Sequence, residues 1–153
     1  MRLKVLACVA LVGLAAPATA ATYANARFGY AVSYPETLLE PRPEAANGDG
    51  REFRSRSDRA RFSVFASADL EATPAGIEQA AEEVCQGTRP ALRVVKRRLV
   101  AMSCIHDGLI YYTKVLLGSG AQVKLIAAYP AAERNVWDRV IVRMASSLTP
   151  ASR

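Results

Sequence analysis

One histidine and two cysteines are the residues of this chain best suited to chemistry. His106 is the only histidine, so a histidine-activated nucleophile would need it together with a serine and an acid brought near by folding. Asp107 is adjacent, but successive residues on a strand point to opposite faces, which places Asp107 poorly for orienting the ring. No Gly-x-Ser-x-Gly elbow occurs, and residues 118–120 are typical of a turn. We therefore predict no catalytic residue; a catalytic His106 is the open alternative.

The same residues make a weak metal site. Cys85, Cys104 and His106 supply only three ligands, and a disulfide between the cysteines would remove two of them. The run Asn47-Gly48-Asp49-Gly50 lacks the alternating acids and the closing glutamate of a calcium loop, which favours a turn. No glycine-rich phosphate-binding motif opens a predicted helix. We expect no metal and no other cofactor.

The N-terminus has the pattern of a cleavable secretory signal peptide. Arg2 and Lys4 precede an uncharged apolar run over residues 5–16, and small residues up to Ala20 form a cleavage site. The apolar run is about a dozen residues long, whereas a membrane-spanning helix needs about 20. We predict a signal peptide over residues 1–20 and a periplasmic or secreted protein with no transmembrane segment after cleavage. An uncleaved N-terminal anchor is the alternative.

Cleavage changes the charge and leaves one domain. The chain has 20 basic and 14 acidic residues, and Arg2 and Lys4 leave with the signal, so the formal net charge falls from +6 to +4. Residues 21–153 are enough for a single domain with its own core.

Cleavage also leaves an even number of cysteines. Cys8 lies in the signal, and Cys85 and Cys104 stay behind in an oxidising compartment. We predict that these two are bonded, in a ring of about 20 residues that contributes roughly 3 kcal/mol. Two buried free thiols are the alternative.

Basic residues are concentrated in two predicted strand regions. If both groups lay on one edge of a sheet, they would form a positive patch for an anionic envelope polymer, a lipid headgroup surface or an acidic protein. The patch candidates are Arg51, Arg54, Arg56, Arg61, Arg93, Lys96, Arg97 and Arg98. The competing interpretation is a solvated face whose charges protect edge strands from aggregation. Nucleic acid is a poor partner, because no run interleaves aromatic with basic residues and the chain is predicted to be exported.

Hydrophobic spacing in the N-terminal half predicts mainly strands. Apolar residues alternate over residues 28–33, which predicts a first strand, and the proline- and glycine-rich residues 36–50 predict a surface loop. Residues 52–56 and 61–66 are predicted to pair as a hairpin.

The C-terminal half is predicted to hold a meander between two helices. Thr73-Pro74 supplies an N-cap and a first helical residue, so a helix is expected from Pro74 to Cys85. Asp107-Gly108 is the strongest hairpin signal. The meander strands are predicted at residues 92–100, 101–106, 109–117 and 122–129, and the second helix, with Trp137 as a core anchor, at residues 132–148. The predicted fold class is α+β: an antiparallel sheet of about six to seven strands flanked by two helices.

Three segments resemble the PsbP-like, or Mog-like, α/β/α sandwich. They are Phe28-Gly29-Tyr30 with Tyr34-Pro35, the turn over residues 47–50 with Phe53, and Tyr111-Tyr112-Thr113-Lys114 with Tyr129-Pro130. In outline the resemblance covers residues 27–148, and many small exported bacterial proteins of uncertain function are similar to this fold. These residues occupy structural positions, so the resemblance implies a fold and no catalytic set.

We therefore expect an exported, non-enzymatic binding or accessory protein of the cell envelope. One alternative is a small envelope hydrolase that uses carboxylates such as Asp107 or Glu83. The other is a binder of anionic membrane or cell-wall polymer that uses the arginine-rich strands.

Overall fold

The computed structural model describes residues 19–69, 71–118 and 120–152. The predicted signal peptide therefore lies almost wholly outside the described residues. The described chain is α+β, as predicted. Its strands are β1 (Ala20–Ala24), β2 (Ala31–Pro35), β3 (Leu39–Pro41), β4 (Gly50–Ser55), β5 (Arg61–Ser67), β6 (Leu92–Lys96), β7 (Leu99–His106), β8 (Leu109–Leu117) and β9 (Gln122–Pro130). Its helices are α1 (Pro74–Val84) and α2 (Arg134–Ser147), and a 3-10 turn over Ala131–Glu133 leads into α2.

Within the described residues, seven strands form one antiparallel sheet and two form a separate ribbon. The order across the sheet is β3-β4-β5-β9-β8-β7-β6, and β1 pairs with β2. The predicted meander is confirmed by the β6-β7-β8-β9 pairing. Asp107 and Gly108 turn β7 into β8 at φ values of 49° and 73°, the left-handed conformation that an Asp-Gly hairpin turn requires.

The two helices cover opposite faces and opposite halves of this sheet. On one face, α2 packs on β9 and on β2, and together with the ribbon it covers the β4-β5-β9 half. On the other face, α1 packs on β6, β7 and β8. The side chains of β9 alternate accordingly, with Val123 and Leu125 in the α2 core and Lys124 and Ile126 on the α1 side. Each face is therefore left partly open, and the two open halves carry the sites described below.

Trp137 anchors α2 on the sheet, as predicted. Its side chain is 5% exposed, and its ring centroid lies 5.7 Å from that of Phe62 on β5. The indole Nε1 donates a hydrogen bond of 2.8 Å to Glu133, which satisfies the one polar atom of the ring. The tryptophan therefore contributes apolar packing without leaving a buried donor unpaired.

Several predicted strand bounds were wrong. The predicted loop over residues 36–50 contains β3, which forms by pairing with β4, a long-range contact that a proline-rich composition does not reveal. The strand predicted at residues 92–100 is β6 and the start of β7, separated by a turn at Arg97 and Arg98. No glycine or proline marks this turn. Instead, Arg98 Nε donates a hydrogen bond of 2.9 Å to the Leu117 carbonyl, and the Leu117 amide donates one of 3.0 Å to the Arg98 carbonyl.

The loop between β3 and β4 is anchored by a buried asparagine. Asn25, which is 2% exposed, donates from Nδ2 to Glu44 Oε1 at 3.0 Å and to the Gly48 carbonyl at 2.9 Å. Its Oδ1 accepts from the Phe28 amide at 2.8 Å, and Tyr23 donates its hydroxyl proton to Glu44 at 2.6 Å. These hydrogen bonds hold the loop against β1.

Candidate functional site

Helix α1 begins where the sequence predicts. Thr73 adopts an extended conformation, and its Oγ1 accepts a hydrogen bond of 3.1 Å from the Gly76 amide, while Pro74 occupies the first helical turn. Ile77 and Ala81 form the buried face of the helix. A short helix with so few buried side chains depends on what holds its ends.

The C-terminal end of α1 is fixed to β7 by two contacts. The predicted disulfide between Cys85 and Cys104 is present, with a Cα–Cα distance of 5.7 Å. Next to it, His106 Nε2 lies 2.9 Å from the Val84 carbonyl, and since a carbonyl only accepts, Nε2 carries the proton. Cys85 itself caps the helix C-terminus. The covalent bond and the imidazole therefore anchor the same turn.

His106 has a structural role. Its ring stacks on Tyr111 at a centroid distance of 4.2 Å and an interplanar angle of 7°. Asp107 lies in the turn with Oδ2 3.6 Å from His106 Nδ1, which is too far for a hydrogen bond. Nδ1 has no hydrogen-bond partner among the described residues, so Asp107 does not orient the ring, as expected from the sequence. That carboxylate is 88% exposed. Glu83, the other carboxylate proposed for hydrolysis, is exposed on α1.

A groove of about 490 Å³ lies between α1 and the open part of the sheet; we call it the α1 groove. Its helical wall is apolar and consists of Ile77, Ala80, Ala81 and Val84. Its floor is formed by β8 and β9 and consists of Thr113, Val115, Gln122, Lys124 and Ile126. Asp69, Glu71 and Thr73 line the end near the start of α1. The α1 groove thus has an apolar helical wall, a mixed floor and a polar end, and apolar surfaces with a few polar groups are typical of small-molecule sites.

Gln122 is the distinctive polar residue of the α1 groove. It is 4% exposed, and its Nε2 donates to Asp69 Oδ2 at 3.0 Å. Its Oε1 is buried and has no hydrogen-bond partner among the described residues. Since buried polar atoms are nearly always paired, this oxygen is an unused acceptor on a residue that lines the groove. Lys124 lies farther along the floor, with Nζ 5.9 Å from the centroid of the Phe65 ring.

The two groups of basic residues lie at opposite edges of the sheet. Arg51 and Arg54 are on β4, next to one edge, whereas Arg93 and Lys96 are on β6, the other edge. In the sheet order, β6 is the fifth strand after β4, so the two strands lie on the order of 24 Å apart across the sheet. The structure therefore does not bring the candidate residues together into one continuous patch.

Most of these arginines have local partners. Arg54 pairs with Glu52 and Asp58, Arg56 with Glu40, Arg61 with Asp58, and Arg93 with Glu78. The guanidinium of Arg51 lies 4.9 Å from the centroid of the Tyr23 ring. Within the described residues, Lys96, Arg97 and Arg98 have no acidic partner and are exposed. Of the eight patch candidates, three of the four that have no acidic partner among the described residues therefore lie at the β6-β7 turn.

Residues 19–69, 71–118 and 120–152 contain neither a metal-ligand cluster nor a helix suited to span a membrane. In those ranges, no group of three or more histidine, cysteine or acidic residues could hold a metal ion. Neither helix there is long and apolar enough to cross a membrane.

The sequence does not mark Gln122 as a site residue, and Lys114 stands out only within a segment that resembles the PsbP-like fold. The local signal is weak, because Lys114 follows Thr113 inside β8, and Gln122 opens β9, a strand that also contains Lys124. Gln122 and Asp69 are 53 residues apart in the sequence, so their contact becomes apparent only in the folded structure.

Comparison with known proteins concerns the fold. No protein-family model and no curated protein matches the chain. Among solved structures, the solution structure of cyanobacterial PsbP from Synechocystis sp. PCC 6803 is similar with a TM-score of 0.60, over 95% of this chain and 98% of that chain. The two sequences are 14% identical, so the likeness carries the architecture and no activity. The chain therefore has the PsbP-like fold that its sequence resembles.

Proposed function

We propose that this chain is an exported, non-enzymatic binding protein of the cell envelope and that it holds a ligand in the α1 groove. Export to the periplasm or the exterior is supported by the signal-like N-terminus and by the Cys85–Cys104 bond, since disulfides persist in oxidising compartments. An accessory role, in which the ligand belongs to a larger envelope component, uses the same groove.

The observation that carries this proposal is the unpaired Oε1 of Gln122. The side chain is held by Asp69, so the amide is oriented before any ligand arrives. A ligand whose hydroxyl or N–H group reaches Oε1, an atom that surrounding residues now cover, can donate to it while the apolar part of the ligand lies along Ile77 and Ile126. Leaving such an acceptor unpaired is costly, so a matching donor would add both affinity and specificity.

Blocking the α1 groove is expected to abolish binding. Ala80 lines the groove, and an indole in its place would fill the space between α1 and β9. Mature protein recovered from its own envelope extract should carry a bound mass in native mass spectrometry, and Ala80→Trp should lose it. Ala75→Trp is the matched control, because Ala75 is exposed on the same helix and does not line the groove. Equal bound mass in both variants would contradict the proposal.

A second candidate function is binding of an anionic envelope polymer at the β6-β7 turn. The observation that favours it is the exposed group of Lys96, Arg97 and Arg98, which has no acidic partner in the described residues.

Binding at this turn should depend on both salt and charge. Mature protein should sediment with anionic vesicles or cell-wall polymer at low salt and be released as salt rises, because exposed charges are screened. The triple change Lys96→Gln, Arg97→Gln and Arg98→Gln should remove this binding. The control is Arg56→Gln with Arg61→Gln, near the other edge of the sheet. Binding that is insensitive to salt, or equal loss in both variants, would exclude this function.

A further inference from the structure

The open half of the α2 face is an apolar trough. One cavity of about 320 Å³ and another of about 220 Å³ share Leu92, Tyr112 and Val142 in their linings, so they adjoin in a depression beside α2. The depression runs along α2 from Ser146 to Arg134, so its length is about 18 Å at the rise of an α-helix. We call this depression the α2 trough. Its apolar lining includes Leu92, Val94, Leu99, Ala101, Ile105 and Val142.

Two side chains of β8 supply the hydrogen-bond donors of the α2 trough. Tyr112 and Lys114 are two residues apart on one strand, so both point to the same face, and both line the trough. Lys114 Nζ donates to the Ala145 carbonyl in the last turn of α2, which uses one of its three N–H groups. The Tyr112 hydroxyl has no partner within the described residues. Three polar hydrogens are therefore free on one wall.

The charges around the α2 trough are unbalanced. Lys114 is half-buried and has no carboxylate partner in the described part of the chain, and burial lowers its pKa. Asp138, the acid at the opposite end, is already paired: it accepts from Tyr129 at 3.0 Å and from Arg134 at 3.4 Å. Since a partly desolvated cation gains most from a direct anionic partner, the trough favours an anion at Lys114.

We propose that the α2 trough binds an amphiphilic carboxylate of the fatty-acid class, with its carboxylate on Lys114 and Tyr112 and its apolar chain along Leu92 and Val142. The carboxylate accepts hydrogen bonds from the ammonium and the phenol, and the chain covers side chains that are now 39% and 62% exposed. This site is separate from the α1 groove, because it lies on the opposite face of the sheet.

A second copy of the chain is a poorer occupant than a carboxylate. The edge strand next to the trough is β6, which carries Arg93 and Lys96. Pairing two such strands would bring like charges together, which is destabilising. It would also offer no anion to Lys114.

The test uses dodecanoate, below its micelle concentration, as the probe. Titration calorimetry of the mature protein should show about one site per chain. Acetate, which has the head without the chain, and dodecyl maltoside, which has the chain without the charge, should not compete. Lys114→Gln should weaken binding about tenfold, as expected for loss of a charge-assisted hydrogen bond. Lys124→Gln, the same change on the other face of the sheet, should alter it less than about twofold.

Further variants keep the test decisive. Val142→Asp places a negative charge in the trough at a position that is 62% exposed, so folding should be retained while binding is lost. Ala80→Trp should leave dodecanoate binding unchanged, which separates this site from the α1 groove. Binding unaffected by Lys114→Gln or Val142→Asp, or equal binding of dodecyl maltoside, would overturn the proposal. So would chemical-shift changes at Ile77 and Ile126 instead of Leu92 and Val142.

Discussion

Replacing Gly50 with alanine is expected to lower the free energy of unfolding by about 3 kcal/mol or more, an overpacking cost. Gly50 opens β4 and pairs with Phe65 on β5. A Cβ at this position would overlap the Val64 carbonyl oxygen and lie 2.5 Å from Phe65 Cα. These are main-chain atoms of the neighbouring strand, and no side-chain rotation can relieve the contact. β4 must therefore move away from β5.

The matched control for Gly50 is in the same turn. Gly48 has a φ of 67°, and a Cβ there would meet only the Arg27 Cδ at 4.0 Å. Gly48→Ala should thus lower the free energy of unfolding by only about 1 kcal/mol, the cost of placing a non-glycine residue in the left-handed backbone conformation. Thermal or urea unfolding of both variants measures the difference, and a loss of about 3 kcal/mol corresponds to a fall of about 10 °C in a domain of this size. The explanation fails if Gly50→Ala is no less stable than Gly48→Ala.

Local turn and capping chemistry made part of the fold predictable. Asp107-Gly108 carries its own hairpin conformation, and Thr73-Pro74 specifies a helix start without reference to the rest of the chain. In contrast, β3 exists only because β4 lies beside it. The turn at Arg97 and Arg98 is likewise held by the end of β8, so neither feature has a local signal.

The candidate sites were less predictable than the fold. The disulfide followed from cysteine parity, and the two basic groups were visible as charge runs. Their separation to opposite edges depends on the strand order, which places β9 between β5 and β8. The α1 groove and the α2 trough arise because each helix covers only half of its face, and that offset is a property of packing. Gln122 and Lys114 acquire their importance from these open halves.

Loss of the Cys85–Cys104 bond is expected to cost about 3 kcal/mol and to affect α1 first. The bond closes a ring with a sequence separation of 19, for which constraint of the unfolded chain gives this magnitude. The native state adds a local reason, because α1 has 11 residues and only Ile77 and Ala81 are buried. A helix this short is marginal in isolation. Without the bond, the His106 hydrogen bond and the packing of Ala81 against Met102 would hold its C-terminal end to β7.

This expectation distinguishes the two sites. In Cys85→Ala/Cys104→Ala, hydrogen exchange should accelerate most in α1, and the mass bound in the α1 groove should be lost because one wall of that groove is α1. Dodecanoate binding should persist, since the α2 trough is formed by β6, β7, β8, Tyr129 of β9 and α2. Reduced wild-type protein, about 2 Da heavier than the oxidised form, should behave like the double variant. Unchanged α1 exchange after reduction would show that the disulfide does not hold the groove, and equal loss at both sites would show that it supports the whole sheet.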